Sequence, residues 1–201
     1  MEDGSIILER GQVLRTIRQK AGADQIPLRR KLRWLRHAAE GLRHIHEKGI
    51  VQADVGCYNM ILTRNDCLKI IDFEGCSIDN ESADSLYEWF SYRRSTPTVS
   101  IQTDIFAYGC ATYEIMTGRP PYHGLEKSDD RSSLIEQLYQ KNQFPDVTHL
   151  PLGVVMRSCW HGTFNSMSEV IQALEAASPL GLKARFAAAI IRVLKSSCCF
   201  K

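Results

Sequence analysis

Apolar residues recur at steps of three and four through Leu28, Leu32, Leu35, Ala39, Leu42 and Ile45, and basic residues fill the opposite face. That spacing predicts an amphipathic helix over residues 28–48. Pro27 suits its first turn and Gly49 its C-terminal cap. Residues 5–9 (SIILE) read as a short apolar strand broken by Gly11, and residues 12–20 as a short basic helix. After Gly49 the period changes. Ile50-Val51, residues 60–62 and residues 67–71 are short apolar pieces, with a polar turn at 63–66 between the last two, which predicts a small hairpin. Residues 74–100 are polar and too long for a plain connection, and such segments are usually functional or disordered. Residues 103–116 form the most apolar helix, capped by Thr103 or a neighbour, with Gly118 after its end. Pro120-Pro121 stops anything helical. Residues 132–141, 152–159 and 166–177 predict three more helices, the last opening on a capping box, Ser166-Met-Ser-Glu169. Residues 182–195 predict a final amphipathic helix. The expected fold is mainly α with a small β-hairpin.

Composition fits one core. The chain has 201 residues, 44% of them hydrophobic and 24% charged, which is ordinary globular usage and excludes a disordered or collagen-like chain. No apolar run is long enough to cross a bilayer. The first residues lack the basic and apolar regions of a secretory signal, so a cytoplasmic or nuclear location is expected. The net charge of +2 is unevenly spread, with a local +8 over residues 10–48 and −7 over residues 49–148. Without stacking aromatics among the basic residues, solvated helix faces are expected and nucleic-acid binding is not. Seven cysteines without a C-x-x-C pair argue for buried reduced thiols over a zinc site. The tail, residues 178–201, ends in a basic helix followed by Cys198-Cys199. It reads as an extra packed helix, with membrane association by a palmitoylated amphipathic helix as the less favoured alternative.

Two strings in the hairpin region carry the chemistry. Asp54-Val-Gly-Cys-Tyr-Asn59 sets an acid and an amide five positions apart on a loop, and Ile71-Asp72-Phe73-Glu74-Gly75 puts an acid at the end of a strand. Alone, each is a common turn pattern. Their order changes the reading: a long helix ending HIHEKGIV, the Asp-x4-Asn loop, a hairpin, Asp-Phe-x-Gly, a polar segment, then an apolar helix opening at Asp104 and leaving through GRPPY. This order resembles the C-terminal lobe of the eukaryotic protein kinase family over residues 1–177, beginning at the hinge. The Cys159-Trp160 pair is reminiscent of tyrosine-kinase-like and Raf-like members, and the FPD…LP…CW ending resembles predicted kinases of filamentous fungi.

The resemblance implies an ATP- and Mg²⁺-dependent phosphoryl transfer to a protein hydroxyl. Asp54 would be the catalytic carboxylate, and Asn59 and Asp72 the metal ligands. The backbone of Leu8, Glu9 and Arg10 would meet the adenine edge, Ile61 would lie under the ring, and Asp104 would brace the catalytic loop. A protein substrate or protein partner is implied. The chain also departs from the pattern. No Gly-rich loop or strand lysine occurs, so the N-terminal lobe is expected to be absent. Ala53 stands where the family has an arginine, Glu74 follows Asp72-Phe73 in place of glycine, and Tyr92–Pro97 replaces Ala-Pro-Glu. Gly56 and Tyr58 leave the choice among serine, threonine and tyrosine open. The alternative is a pseudokinase or a lobe-only protein-binding scaffold.

Overall fold

The computed structural model describes residues 9–20, 25–84, 87–93 and 99–177. The strand expected before residue 9, the helix expected over 182–195 and the terminal cysteine pair lie outside the described residues.

Two helices make the frame. The first long one, Leu28–His46, follows the predicted stripe and buries Trp34, Leu35, Ala38, Ala39 and Leu42 completely. Most of its basic residues point outward, where Arg36 and Arg43 pair one turn on with Glu40 and Glu47; Lys31 is buried and donates to the Met116 carbonyl at 3.0 Å. The second, Ile101–Thr117, is buried nearly all round, as expected of a helix with so few charged residues. Its Tyr108 hydroxyl donates to the carbonyl of Leu35 at 2.9 Å and ties the two together. Full burial of a Leu or Ile side chain contributes about 1.5–3 kcal/mol, so the fully buried Leu35, Leu42, Ile105 and Ile115 are the backbone of stability here.

In chain order the described elements are β1 (Gly11–Val13), α1 (Leu14–Gln19), α2 (Leu28–His46), β2 (Ile50–Val51), β3 (Met60–Thr63), β4 (Leu68–Ile70), β5 (Ser77–Ile78), α3 (Ile101–Thr117), α4 (Arg131–Gln140), α5 (Gly153–Trp160) and α6 (Met167–Ala177). Helix α5 packs on α3, and α6 on α2. The predicted hairpin is β3–β4. A third strand, β1, pairs antiparallel with the other edge of β3. Strands β2 and β5 form a separate two-stranded ladder.

Residues 11–20 differ from expectation. Gly11 does not end a strand; it begins one, and the helix starts at Leu14 instead of residue 12. The cause is non-local. Gly11 lies opposite Thr63, and a Cβ there would sit 2.8 Å from the Leu62 carbonyl oxygen. Two helix starts also move. Helix α3 is entered at Ser100, whose N–H donates to the Thr103 hydroxyl at 2.9 Å; Thr103 is therefore the partner of the cap and not the cap. At α6 the Ser166 hydroxyl accepts from Glu169 N–H, as the capping box predicts. The Glu169 carboxylate reaches one residue further and accepts from Asn165 N–H at 2.8 Å.

Arg93 shows what stands at the place of the missing Ala-Pro-Glu. Its guanidinium lies 4.8 Å from the Phe106 ring centroid and 5.2 Å from that of Phe144, and it donates to the Trp160 carbonyl. Aromatic faces and a carbonyl at the end of α5 hold this cation in place of a carboxylate. Cys57, Cys110 and Cys159 are buried reduced thiols, as expected, and burial pushes each of them up in pKa; Cys67 and Cys76, expected to be buried too, are free thiols only half-buried.

Candidate functional site

The loop between β2 and β3 carries Asp54 and Asn59. Its alternate residues Ala53, Val55 and Cys57 are buried, and the Cys57 thiol rests 3.7 Å from the Ala111 carbonyl of α3. Burying these side chains turns Asp54 half-buried toward the site and leaves Tyr58 63% exposed. Ala53 takes a left-handed backbone, φ 63°, which for a residue with a Cβ costs roughly 1–2 kcal/mol. Asp104 holds it there. This carboxylate, 0% exposed in α3, accepts from Gln52 N–H at 2.8 Å and Ala53 N–H at 3.0 Å. It also takes the Tyr87 hydroxyl at 2.6 Å and meets His46 Nε2 at 2.9 Å. Asp104 is thus not a helix cap. It joins α2, α3, the loop and the 87–93 segment at one point.

Asn59 Nδ2 donates to both the carbonyl and the carboxylate of Asp54, at 3.1 and 2.7 Å. The amide is therefore fixed with its Oδ1 turned away from Asp54. The backbone of Asn59 accepts from Ile71 N–H at 3.0 Å, which brings the Ile71-Asp72 strand end beside the loop. Gln52 completes the link. Its Oε1 accepts from Asp54 N–H at 2.7 Å, while its Nε2 donates to the carbonyls of Asp72 at 2.6 Å and Ile71 at 3.2 Å. One buried amide thus joins the two acid-bearing segments. Asp72 itself has φ 60° and is exposed. Its carboxylate makes no ion pair or hydrogen bond among the described residues, so it is free to bind.

Burial pushes the Asp54 carboxyl up to about 6. The hydrogen bond from Asn59 opposes the rise, Glu88 and Asp72 add to it, and Arg15 counters it. Glu88 is close because Gly56 has no side chain: a Cβ there would stand 2.8 Å from Glu88 Oε2. Glu88 and Glu114 both clasp Arg15, which donates to Glu114 at 2.7 and 2.8 Å and to Glu88 at 2.5 and 2.6 Å. Burial would lower the pKa of this guanidinium, but the two carboxylates more than offset that and raise it.

The structure brings the segments of Asp54, Asn59 and Asp72 together through Gln52, with Asp104 on the loop backbone. Ile61 lies on β3 opposite Val13 of β1, half-buried. Glu9 and Arg10 are exposed just before β1, and Leu8 is outside the described residues. Sequence reasoning gave no role to Gln52, Tyr87, or the Arg15–Glu88–Glu114 cluster. Each has at least one partner 16 or more residues away, beyond the reach of a local pattern.

As to a metal, no group of three or more His, Cys, Asp or Glu side chains among the described residues could hold one alone. What the site offers is one free carboxylate and one oriented amide oxygen. Such hard oxygen donors fit Mg²⁺, which takes few protein ligands and completes its shell with water and phosphate.

A half-buried loop acid, an amide turned by it, and a free acid at a strand end thus stand side by side. A family model described as protein tyrosine and serine/threonine kinase matches residues 6–174, and the chain belongs to that family. It is 29% identical over 145 residues to Fer-related kinase 1 of Caenorhabditis elegans, covering 68% of this chain and 37% of that protein. It is 31% identical over 133 residues to mitogen-activated protein kinase kinase kinase 17 of Arabidopsis thaliana, covering 61% of this chain and 33% of that protein. It is 30% identical over 106 residues to serine/threonine-protein kinase PknB of Mycolicibacterium smegmatis, covering 48% of this chain and 17% of that protein. The chain thus spans little more than a third, at most, of the length of these relatives. No described helix is long and apolar enough to cross a membrane.

Proposed function

We propose that this chain is the larger, mainly helical C-terminal lobe of a protein kinase domain and that it supports phosphoryl transfer from ATP to a protein hydroxyl. The observation that carries the reading is the joint placement of Asp54, Asn59 and Asp72 by Gln52 and Asp104. Asp54 accepts a hydrogen bond from the substrate hydroxyl and takes its proton as transfer proceeds. A carboxyl titrating near 6 is mostly ionised at neutral pH yet basic enough to receive that proton. Asp72 and the Asn59 amide oxygen would hold Mg²⁺, which neutralises phosphate charge when bound. Leu8, Glu9 and Arg10 would meet the adenine edge through their backbone, with Ile61 beneath it. Asp104 acts through the loop backbone as a positioning residue.

One departure bears on regulation. Ala53 cannot pair with a phosphorylated activation segment. The Arg15–Glu88–Glu114 cluster and the Tyr87–Asp104 bond hold that segment without a phosphate. The reading is tested by phosphotransfer to a mixed serine, threonine and tyrosine peptide set, using the whole natural protein that carries this lobe. Asp54→Asn and Asp72→Asn should each remove at least about 99% of the rate, the scale of a lost general base. Transfer unaffected by either substitution, or no transfer with any nucleotide and divalent ion, would leave the binding scaffold as the better account.

A further inference from the structure

The Arg15 cluster forms the inner wall of a cleft of about 480 Å³ between α1, the 88–90 segment and the turn after α3. The cleft is polarised. At the inner end, against Gly56 and so two residues from Asp54, two carboxylates share the single guanidinium of Arg15. Arg18, Lys20 and Arg119 line the rest of the cleft, and besides Glu88 the one carboxylate among its described lining residues is Glu126. Arg119 is exposed, and its Nη1 meets His123 Nε2 at 3.0 Å, both residues lining the cleft. Arg18 is 3% exposed, so its charge sits in the floor of the cleft and not on a waving surface chain. Helix α1 rises about 1.5 Å per residue, so Arg18 and Lys20 stand roughly 5–8 Å beyond Arg15 along it.

From this polarity we propose that the outer end of the cleft binds an anionic side chain, a phosphorylated residue or a carboxylate, on the same peptide whose hydroxyl lies at Asp54. The inference rests on the kinase reading for where the hydroxyl sits. Guanidinium forks match phosphate and carboxylate oxygens in paired hydrogen bonds, and a half-enclosed wall weakens screening by water. The inner carboxylates repel the same anion, which sets its place at a distance from the hydroxyl and not beside it. The protein therefore selects substrates that are acidic, or already phosphorylated, to one side of the target.

The test is direct binding of fluorescent eleven-residue peptides to the 201-residue chain, read by anisotropy without nucleotide. Each peptide carries a central serine and, at one scanned position, phosphoserine, glutamate or alanine. At the best position the phosphoserine peptide should bind about tenfold tighter than its alanine counterpart, with glutamate between them. Arg119 and Lys20 are both exposed, so Arg119→Ala with Lys20→Ala leaves the fold intact, and the preference should vanish in that pair. Raising the salt should shrink it in the parent chain. Equal affinity for all three peptides, or a preference that survives the double substitution, would overturn the proposal. So would inorganic phosphate competing as well as the phosphopeptide, because the peptide would then contribute nothing. Nucleotide binding in a parallel titration keeps the two readings apart. It is unmoved by these substitutions, and its loss would count against the kinase reading while leaving the anion site standing.

Discussion

Replacing Asp104 by asparagine isolates the hydrogen-bonding pattern from size. The carboxylate serves four donors: Ala53 N–H and the Tyr87 hydroxyl on Oδ1, Gln52 N–H and His46 Nε2 on Oδ2. An amide has one acceptor oxygen and one NH₂. If the NH₂ replaces Oδ2, His46 can change tautomer and accept from it, since its Nδ1 has no protein partner to lose. Gln52 N–H is then stranded. If the NH₂ replaces Oδ1, the Tyr87 hydroxyl can accept and turn its proton to Thr103, 2.8 Å away, and Ala53 N–H is stranded. Either way one buried backbone donor loses its partner, and the remaining bonds lose their charge assistance. An orphaned buried donor costs about 1–3 kcal/mol, and a bond to a charged group is worth about 1.5–3 kcal/mol, so we expect about 2–4 kcal/mol in all. For a chain of this length that is a fall in Tm of roughly 5–15 °C, from about 2–4 °C per kcal/mol. Thermal unfolding followed by circular dichroism measures it. A Tm within 2 °C of the parent would refute the reasoning. The loop would then be held left-handed at Ala53 by something other than Asp104.

Three further predictions probe the same frame. Asp54 titrates near 6 in the folded chain and near 3.9 when unfolded, so its stabilising contribution is complete below about pH 4 and is lost as pH rises through 6. Asp54→Asn should therefore gain on the parent in Tm between pH 4 and 6.5, and a difference flat in pH would show that burial does not govern this group. Arg15→Met leaves Glu114, 2% exposed, without its cation, and urea unfolding should show a loss of about 3–5 kcal/mol. Adding Glu114→Met should return part of that loss, and no recovery would mean that packing and not charge was at stake. Arg93→Met keeps the aliphatic stem but removes the cation over Phe106 and Phe144, at a cost of about 2 kcal/mol, and Arg93→Lys should rescue little because the ammonium lacks the planar fork. Full rescue by lysine would point to bulk charge alone.

How much of this was legible in the sequence depends on how local the cause was. Helix α2 was readable because its apolar stripe needs no knowledge of what covers it, and its observed end at His46 falls two residues short of the expected one. Strand β1 was not, because three residues acquire strand geometry only from β3, some fifty positions away. The candidate residues were legible as a set: Asp54, Asn59 and Asp72 mean little singly, but their order on either side of a hairpin that follows a long helix is specific. What holds them was not legible. A glutamine before Ala53 has no local pattern that says its two ends will meet Asp54 and Asp72. Likewise, losing Ala-Pro-Glu could be seen as an absence, but nothing local showed that Arg93 would turn into an aromatic cage built by α3 and the 141–152 connection. The strained backbone at Ala53 and Asp72 was equally invisible, since neither residue type demands a positive φ.

The central claim is that Asp54, Asn59 and Asp72 form a phosphate-and-metal site. The most direct measurement is an NMR titration of the chain with ATP, with and without Mg²⁺, following the amides of residues 54–59 and 71–75. The account predicts shifts in both segments that need Mg²⁺ and disappear in Asp72→Asn. They should persist in Arg93→Met, which leaves the site untouched. Absence of shifts in these segments, or shifts indifferent to the metal and to Asp72, would contradict it.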